Sequence, residues 1–146
     1  MAKIAPPFNL YEWIDKNKNL LKPPVGNKNL YVESGDYIVM IVGGPNARKD
    51  YHYNETEELF FQIKGDIVVK TQQEGKMQEI SIKEGEMFLL PAKVPHSPIR
   101  SKDSIGLVIE KKREPHHKDG LMWFSEKENA LLFEEYFHLI NEKMDV

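Results

Sequence analysis

Residues 58–72 read ELFFQIKGDIVVKTQ, two apolar runs rich in β-forming residues with Lys64-Gly65-Asp66 between them. A connection this short favours an antiparallel hairpin, because parallel strands need a much longer crossover. Gln73-Glu74-Gly75-Lys76 is a second compact connection of this kind. Four further β-rich runs lie between residues 37 and 110: YIVMIVGG, QEISI, EMFLLPA and SIGLVIE. The chain is therefore predicted to be all-β dominated, with a closed or nearly closed antiparallel barrel.

A short helix is expected at each end of this barrel. From Asn9 to Leu21 the apolar residues fall mostly at helical spacing, and Pro23-Pro24 prevents continuation. Near the other end, Ser125 and Glu128 form a capping-box pattern. The apolar residues that follow mark one helical face: Leu132, Phe133, Tyr136, Phe137 and Ile140. The sequence thus predicts short N-terminal and C-terminal helices, the second packed outside the barrel.

Length and composition predict a single domain over residues 1–146, the commonest size for one compact core. The net charge is only -3 and the charged residues are interleaved, so no basic surface for nucleic acid or a membrane is expected. Residues 1–16 contain no long apolar run, which predicts neither a signal peptide nor a membrane span and favours the cytoplasm. Because the chain has no cysteine, His and carboxylates are the strong candidates for metal ligands.

The first candidate cluster lies in residues 43–65, GGPNARKDYHYNETEELFFQIKG. His52, Asn54 and Glu58 are separated by even numbers of residues, so a regular strand places them on one face. Glu57 has the opposite parity and should point away, unless a bulge near Asn54 reverses the choice. Taken alone, His52 is better explained as an exposed loop histidine, and NETEE as a solvated acidic turn.

The second cluster lies in residues 85–100, GEMFLLPAKVPHSPIR. Here His96 follows a proline-bounded turn, and Arg100 lies four residues further on the same face. Two histidines and one glutamate can thus converge inside one barrel. Two neutral imidazoles and one carboxylate are the set that binds Fe(II) in non-haem oxygenases and leaves positions open for substrate and dioxygen. The joint pattern favours a metal site.

Written with their gaps, the clusters are H-x-N-x3-E-x6-G over residues 52–65 and G-x5-P-x4-H over residues 85–96. They resemble the two signature motifs of the cupin superfamily, which implies a jelly-roll barrel, also called a double-stranded β-helix. Asn54 stands where the first motif usually has a second histidine, which implies three protein ligands and an open position. Lys93 stands where the second motif usually has a glycine, so the backbone of that turn is expected to differ.

The resemblance narrows, because residues 43–65 are similar to the metal-binding segment of 3-hydroxyanthranilate 3,4-dioxygenases. Other runs of that family occur in the same order: PPVGNK at 23–28, PHSPIR at 95–100, Glu110, and KDGLMWF at 118–124. The resemblance implies one Fe(II) per subunit, held by His52, Glu58 and His96. It also implies 3-hydroxyanthranilate and dioxygen as substrates and 2-amino-3-carboxymuconate semialdehyde, the precursor of quinolinate, as product. Relatives suggest a homodimer.

The same resemblance implies three catalytic residues that contact the substrate and two further contacts: Arg48, Arg100 and Glu110, then Glu58 and Asn27. Arg100 is suited to a bidentate pair with the substrate's carboxylate, and Arg48 adds positive potential. Glu110 ends the SIGLVIE run, and its parity with Val108 points it into the barrel. A buried carboxylate there needs a partner, either Arg100 or the substrate's amino or hydroxyl group.

Bacterial and fungal relatives often carry C-terminal cysteine pairs that hold a second iron, where this chain reads WFSEKENA. No second iron is expected, and hydrogen bonds of Ser125 and Glu128 are expected to order the segment instead. The charged stretch 111–119 is a candidate mobile connection. Three histidines receive no site role and are expected at the surface or in packing: His116, His117 and His138.

Two other functions remain open on the residues themselves. A different cupin enzyme, such as a metal-dependent isomerase or a thiol dioxygenase, would have the same fold. The paired arginines and Glu110 argue against it. The other alternative is a non-catalytic cupin that binds small carboxylates. Loss of a metal ligand would favour this alternative, and all three candidate ligands are present.

Overall fold

The computed structural model describes residues 3–23 and 26–139 of the chain. Within this part, a short helix and a 3-10 turn precede eleven strands. The strands are β1 (Asn27–Asn29), β2 (Tyr37–Gly43), β3 (Tyr51–Tyr53), β4 (Glu58–Lys64), β5 (Ile67–Gln73), β6 (Lys76–Ile82), β7 (Met87–Leu90), β8 (His96–Arg100), β9 (Ile105–Lys111), β10 (Asp119–Phe124) and β11 (Leu131–Phe137). No helix in the described ranges is long and apolar enough to cross a membrane.

Helix α1 (Leu10–Lys16) begins at Asn9, whose side chain caps it by accepting a hydrogen bond from a backbone amide of the first turn. The helix ends at Asn17, and a 3-10 turn (Lys18–Leu21) follows. The predicted N-terminal helix is therefore confirmed, although it is interrupted at Asn17. Its buried residues pack on the outer face of one sheet, in a cluster of Ile14, Leu21 and Ile41.

The strands form two antiparallel sheets that face each other. One sheet has the order β1-β2-β9-β4-β7, and the other has the order β11-β10-β3-β8-β5-β6. The predicted all-antiparallel β architecture is thus confirmed. The loop at residues 73–76 forms the predicted hairpin, because β5 and β6 pair from Gln73↔Lys76 to Ile67↔Ile82.

The connection at Lys64-Gly65-Asp66 does not join hydrogen-bonded neighbours, so the hairpin predicted for residues 58–72 is wrong. Strand β4 pairs with β7 and β9, whereas β5 pairs with β6 and β8 in the other sheet. Gly65 has a φ of 70°, which a glycine adopts at no steric cost and which turns the chain sharply from one sheet to the other. A short connection therefore marks a sheet-to-sheet corner here.

The main core lies between the two sheets. Its buried members come from β4, β5, β6, β7 and β9: Phe60, Ile67, Val69, Ile82, Leu90 and Val108. Inward and outward side chains alternate along β4, where Glu58, Phe60 and Gln62 are buried and the residues between them are less so. The same inward face thus carries an apolar side chain next to a buried carboxylate.

The C-terminal segment is a strand, so the predicted C-terminal helix is wrong. Strand β11 pairs with β10, from Asp119↔Phe137 to Phe124↔Leu131. Its aromatic residues have high β propensity, and the edge of β10 is available for pairing. Ser125 closes the hairpin loop instead of capping a helix, because its Oγ accepts a hydrogen bond from the Ala130 amide at 3.0 Å. Glu128 is exposed in this loop, and Ile140 lies outside the described residues.

Candidate metal centre

His52, Glu58 and His96 meet inside the barrel, on strands β3, β4 and β8. The two histidines are direct partners across the β3–β8 pair, and Glu58 is the first residue of β4. All three side chains are buried, and one potential ligand atom from each lies within 4.8 Å of the others. His96 Nε2 and Glu58 Oε2 are 2.7 Å apart. The structure therefore brings together the three residues that the sequence selected.

Glu58, and not Glu57, is the inward glutamate as predicted, but the regular strand expected to run from His52 to Glu58 is wrong: β3 ends at Tyr53, and β4 begins at Glu58 in the other sheet. Glu58 is buried, whereas Glu57 is exposed. Asn54 is buried in the turn before β4, where its Oδ1 accepts hydrogen bonds from the amide and hydroxyl of Thr56.

The turn that carries Lys93 keeps the left-handed backbone that a glycine would adopt. Lys93 has a φ of 66°, and its amide donates a hydrogen bond to the Asn54 carbonyl at 2.8 Å. The expectation of a different backbone at this turn is therefore wrong. The hydrogen bond ties the approach to His96 to the segment that follows His52.

A cavity of about 970 Å³ opens beside this cluster. Its lining includes the three candidate ligands and three of the predicted substrate residues: His52, Glu58, His96, Asn27, Arg48 and Arg100. Glu110 is not among its lining residues and instead borders a smaller groove of about 500 Å³. All six predicted site residues other than Glu110 therefore line the cavity, although they come from parts of the chain as far apart as β1 and β8.

Arg100 presents a buried positive charge to this cavity. Its side chain is buried, and its Nη1 has no hydrogen-bond partner in residues 3–23 and 26–139. The pKa of Arg100 is lowered to about 10, mainly by burial; the charge of Glu58 opposes this shift and the charge of Arg48 adds to it. Arg48 itself pairs with Asp50, at 3.0 Å between Nη2 and Oδ2. A buried guanidinium with an unused hydrogen-bond donor is suited to bind an anion.

Glu110 points into the barrel, as its parity predicted, but its partner is Arg113 and not Arg100. Arg113 Nη1 donates a short hydrogen bond to Glu110 Oε1. Glu110 also lies directly opposite Glu58 in the β4–β9 register. The proposed Glu110–Arg100 pair is therefore wrong for this structure. A guanidinium three residues along the chain satisfies the carboxylate instead.

The two adjoining carboxyl groups differ in their affinity for a proton. Burial raises the pKa of Glu110, and the charge of Glu58 raises it further. Burial would also raise the pKa of Glu58, but the nearby His96 and a hydrogen bond from Glu110 lower it well below its usual range. Glu58 thus carries the negative charge, as a metal ligand must.

Sequence reasoning missed two buried residues behind the centre, Arg113 and Asp119. Asp119 Oδ2 lies 2.6 Å from His52 Nε2, and the Arg113 guanidinium reaches both Asp119 oxygens, at 2.9 and 2.6 Å. Both lie in the charged stretch 111–119 that was a candidate mobile connection. Its runs of Lys, Glu and His resemble a solvated loop. The Asp that opens the β-rich run KDGLMWF was the one available signal.

The other histidines lie at the surface. Glu114, His116 and His117 form a second group with potential ligand atoms within 4.8 Å, but Glu114 and His116 are exposed. His117 Nδ1 already accepts a hydrogen bond from the Glu114 amide, so a neutral ring carries its proton on Nε2 and offers no lone pair there. His138 Nδ1 lies 2.9 Å from the His117 carbonyl. These positions agree with the surface roles expected of them.

The donor set of the buried cluster fits a divalent transition metal. Two imidazole rings and one ionised carboxylate provide nitrogen and oxygen donors on one side of a cavity. Glu58 Oε2 is buried and has no hydrogen-bond partner in the described part of the chain. An orphaned carboxylate oxygen beside two imidazoles is what a site for a cation provides.

Comparison with known proteins agrees with this geometry. A family model described as 3-hydroxyanthranilic acid dioxygenase matches residues 1–146. A protein of Xanthomonas campestris pv. campestris (strain B100) named 3-hydroxyanthranilate 3,4-dioxygenase is 52% identical over 142 residues, covering 97% of this chain and 80% of that protein. A Nematostella vectensis protein of the same name is 54% identical over 129 residues, covering 88% of this chain and 47% of that one.

The fold also matches solved structures. A cupin-2 domain protein from Shewanella frigidimarina is 20% identical, with a TM-score of 0.55. The match covers 68% of this chain and 92% of that one. At this identity the likeness concerns the fold alone, and it confirms the predicted cupin barrel.

Proposed function

The chain belongs to the 3-hydroxyanthranilic acid dioxygenase family, and on this premise we propose that His52, Glu58 and His96 hold Fe(II) at its active site. The protein is an enzyme that oxidises 3-hydroxyanthranilate with dioxygen to 2-amino-3-carboxymuconate semialdehyde, the precursor of quinolinate. The observation that carries the proposed site is a buried His–Glu–His cluster that shares one cavity with a buried guanidinium. When bound, Fe(II) would supply open coordination positions and the redox chemistry that couples the ring to dioxygen.

We assign the substrate's carboxylate to Arg100. The Arg100 side chain is buried and has an unused donor, so an anion in the cavity would relieve an otherwise unsatisfied charge. Arg48 lines the same cavity and adds positive potential, while its pair with Asp50 holds the guanidinium in place. Two cations in one cavity would fix the orientation of the aromatic ring relative to the candidate metal ligands.

The remaining predicted contacts differ in how directly they reach the cavity. Asn27 lines it, so its amide is placed to meet a polar group of the substrate. Glu110 stands behind Glu58 and is held by Arg113. For Glu110 to accept a hydrogen bond from the substrate's amino or hydroxyl group, its carboxyl would have to turn away from Arg113. We therefore propose Glu110 as a catalytic residue in a conformation in which its carboxyl has turned away from Arg113.

We also propose a homodimer. Strand β11 is an edge strand, and most of its large apolar side chains are exposed: Leu131, Leu132, Phe133 and Tyr136. Such side chains on an edge strand are suited to contact with a second copy. Sedimentation of the metal-free protein would give its mass in solution. The cytoplasmic location and the single domain over residues 1–146 stay predictions from the sequence.

The experiment that tests the proposed site is anaerobic reconstitution with Fe(II), followed by 3-hydroxyanthranilate and air. Oxygen uptake and quinolinate are measured together in the wild type, in His52→Ala and in His116→Ala, a surface histidine outside the site. We expect stoichiometric uptake and product in the wild type and in His116→Ala, and neither in His52→Ala.

Two results would contradict the proposal. Product formation by His52→Ala would remove His52 from the iron site. If the wild type binds iron but leaves 3-hydroxyanthranilate unchanged, the substrate would be another small carboxylate bound by Arg48 and Arg100.

A further inference from the structure

The two candidate histidine ligands are held by partners of different kinds. His96 Nδ1 lies 3.0 Å from the Val94 carbonyl, two residues away in the chain. His52 Nε2 lies 2.6 Å from Asp119 Oδ2, a partner 67 residues away. One ring nitrogen of each histidine is therefore occupied by a protein oxygen. The other nitrogen of each ring remains for the metal site, and that of His96, Nε2, lies 2.7 Å from Oε2 of the third candidate ligand, Glu58.

The occupied nitrogen must be the donor in both cases. A carbonyl oxygen only accepts hydrogen bonds, so His96 carries its proton on Nδ1 and keeps a lone pair on Nε2. Asp119 accepts the Arg113 guanidinium on both of its oxygens, which is the geometry of an ionised carboxylate. An ionised carboxylate also only accepts, so His52 carries its proton on Nε2 and keeps its lone pair on Nδ1. The two rings thus offer different nitrogens to the site.

Arg113 connects this arrangement to the third candidate ligand. The same guanidinium donates to Glu110, which lies directly opposite Glu58 across the β4–β9 pair. The Arg113 side chain is 3% exposed, so its charge is shielded from water and its direction is set by these two carboxylates. The buried guanidinium of Arg113, in the segment between β9 and β10, therefore contacts the carboxylates that adjoin His52 and Glu58.

We propose that Arg113 and Asp119 are positioning residues that hold His52 in the Nε2–H form, so that its Nδ1 faces the metal while His96 uses Nε2. The inference rests on the proposed metal site and goes beyond it. Groups that orient metal-binding histidines typically change metal affinity by about 10- to 100-fold when they are removed. Neither residue touches the cavity, so the effect would pass through His52.

The first test uses the metal-free protein and needs no turnover. Long-range ¹H–¹⁵N spectra of the histidine rings report which nitrogen carries the proton. The His52 signals, identified by their loss in His52→Ala, should show the proton on Nε2 in the wild type. They should show a mixture or a reversal in Asp119→Asn, whose amide can donate as well as accept. A wild-type His52 protonated on Nδ1 would overturn the proposal, even if the variant fails to fold.

The second test measures Co(II) affinity by competition with a chelator, with thermal unfolding of the metal-free proteins alongside. We expect about 10- to 100-fold weaker binding in Asp119→Asn and in Arg113→Lys, which keeps the charge but loses the forked geometry. Glu114→Gln, an exposed carboxylate of the same segment, should match the wild type. Lower melting temperatures with unchanged affinity and unchanged His52 protonation would show a merely structural role and refute the inference.

The two proposals fail in different ways. If the wild type binds no Co(II) or Fe(II), the metal site itself is wrong. If the wild type binds metal and Asp119→Asn binds it equally well, the proposed metal site is supported and the positioning role of Asp119 is refuted.

Discussion

The barrel interior contains two adjoining groups of buried side chains, here named the apolar end and the charged end, which behave in opposite ways. At one end, side chains such as Ile67, Val69 and Ile82 pack against each other with almost no exposure. At the other end the buried groups are charged, and Glu58 and Arg100 each keep a polar atom without a hydrogen-bond partner in the described part of the chain. Burial stabilises the fold at the apolar end and opposes it at the charged end.

Strand parity decides only whether a side chain points inward. On β4, Glu58 and Phe60 share the inward face, and on β9 Val108 and Glu110 do so too. Parity alone does not decide whether an inward side chain joins the apolar core or the site. The predictions below separate the two ends by asking whether a substitution changes chemistry or stability.

The largest effect is expected from Glu58→Gln at the charged end. The amide removes the negative charge that a divalent cation needs, so Fe(II) content after reconstitution and product formation should fall below detection. The melting temperature of the metal-free protein should fall little, because a buried charge is removed. Glu57→Gln is the matched control and should retain iron and activity. Loss of iron in Glu57→Gln would mean that Glu57, and not Glu58, is the iron ligand.

Arg100→Met should separate substrate binding from metal binding. We expect kcat/KM to fall by about 100- to 1,000-fold, because a buried charge pair with the substrate's carboxylate is worth roughly 2 to 5 kcal/mol. Iron content should be unchanged. Lys102→Met, an exposed cation nearby, should have little effect on either quantity. Wild-type kcat/KM in Arg100→Met would remove Arg100 from the substrate site.

Ile82→Ala tests the apolar end. Ile82 is 1% exposed and pairs with Ile67 across the β5–β6 hairpin. The cavity left behind should lower the free energy of unfolding by about 2 to 4 kcal/mol, measured by urea denaturation. At 15 °C, where the variant stays folded, kcat/KM should be close to wild type. Ser81→Ala on the opposite, exposed face is the control, and a matching loss of stability there would contradict the assignment of the core.

The parts of this structure that depend on local pattern could be predicted from the sequence. The family resemblance selected His52, Glu58 and His96, whereas the regular strand expected to carry both His52 and Glu58 is wrong, because β3 ends at Tyr53 and β4 begins at Glu58 in the other sheet. The β-rich runs between residues 37 and 110 predicted the barrel. For the barrel, the information lies in spacing within a few residues, which a regular strand translates into an inward or outward side-chain direction.

The parts that depend on long-range pairing could not be predicted. The short connection at residues 64–66 is compatible with a hairpin and with a corner between sheets, and only the pairing of β4 with β9 decides it. Residues 131–137 satisfy a helical period and a strand propensity together, so their pairing with β10 selects the strand. Likewise, the contact between His52 and Asp119 exists only because β3 pairs with β10.

The smallest effect is expected where the charged end carries backbone strain. Lys93 holds a φ of 66°, a conformation that disfavours side chains with a Cβ, while its amide bonds to the carbonyl of Asn54 beside His52. Lys93→Gly should relieve this strain and raise the free energy of unfolding by up to about 1 kcal/mol, a few degrees in melting temperature, because glycine's greater freedom in the unfolded chain offsets part of the gain. Lys93→Val should lower it, since a β-branched residue tolerates this conformation least. If both variants melt at the wild-type temperature, strain at this turn does not limit stability at the charged end.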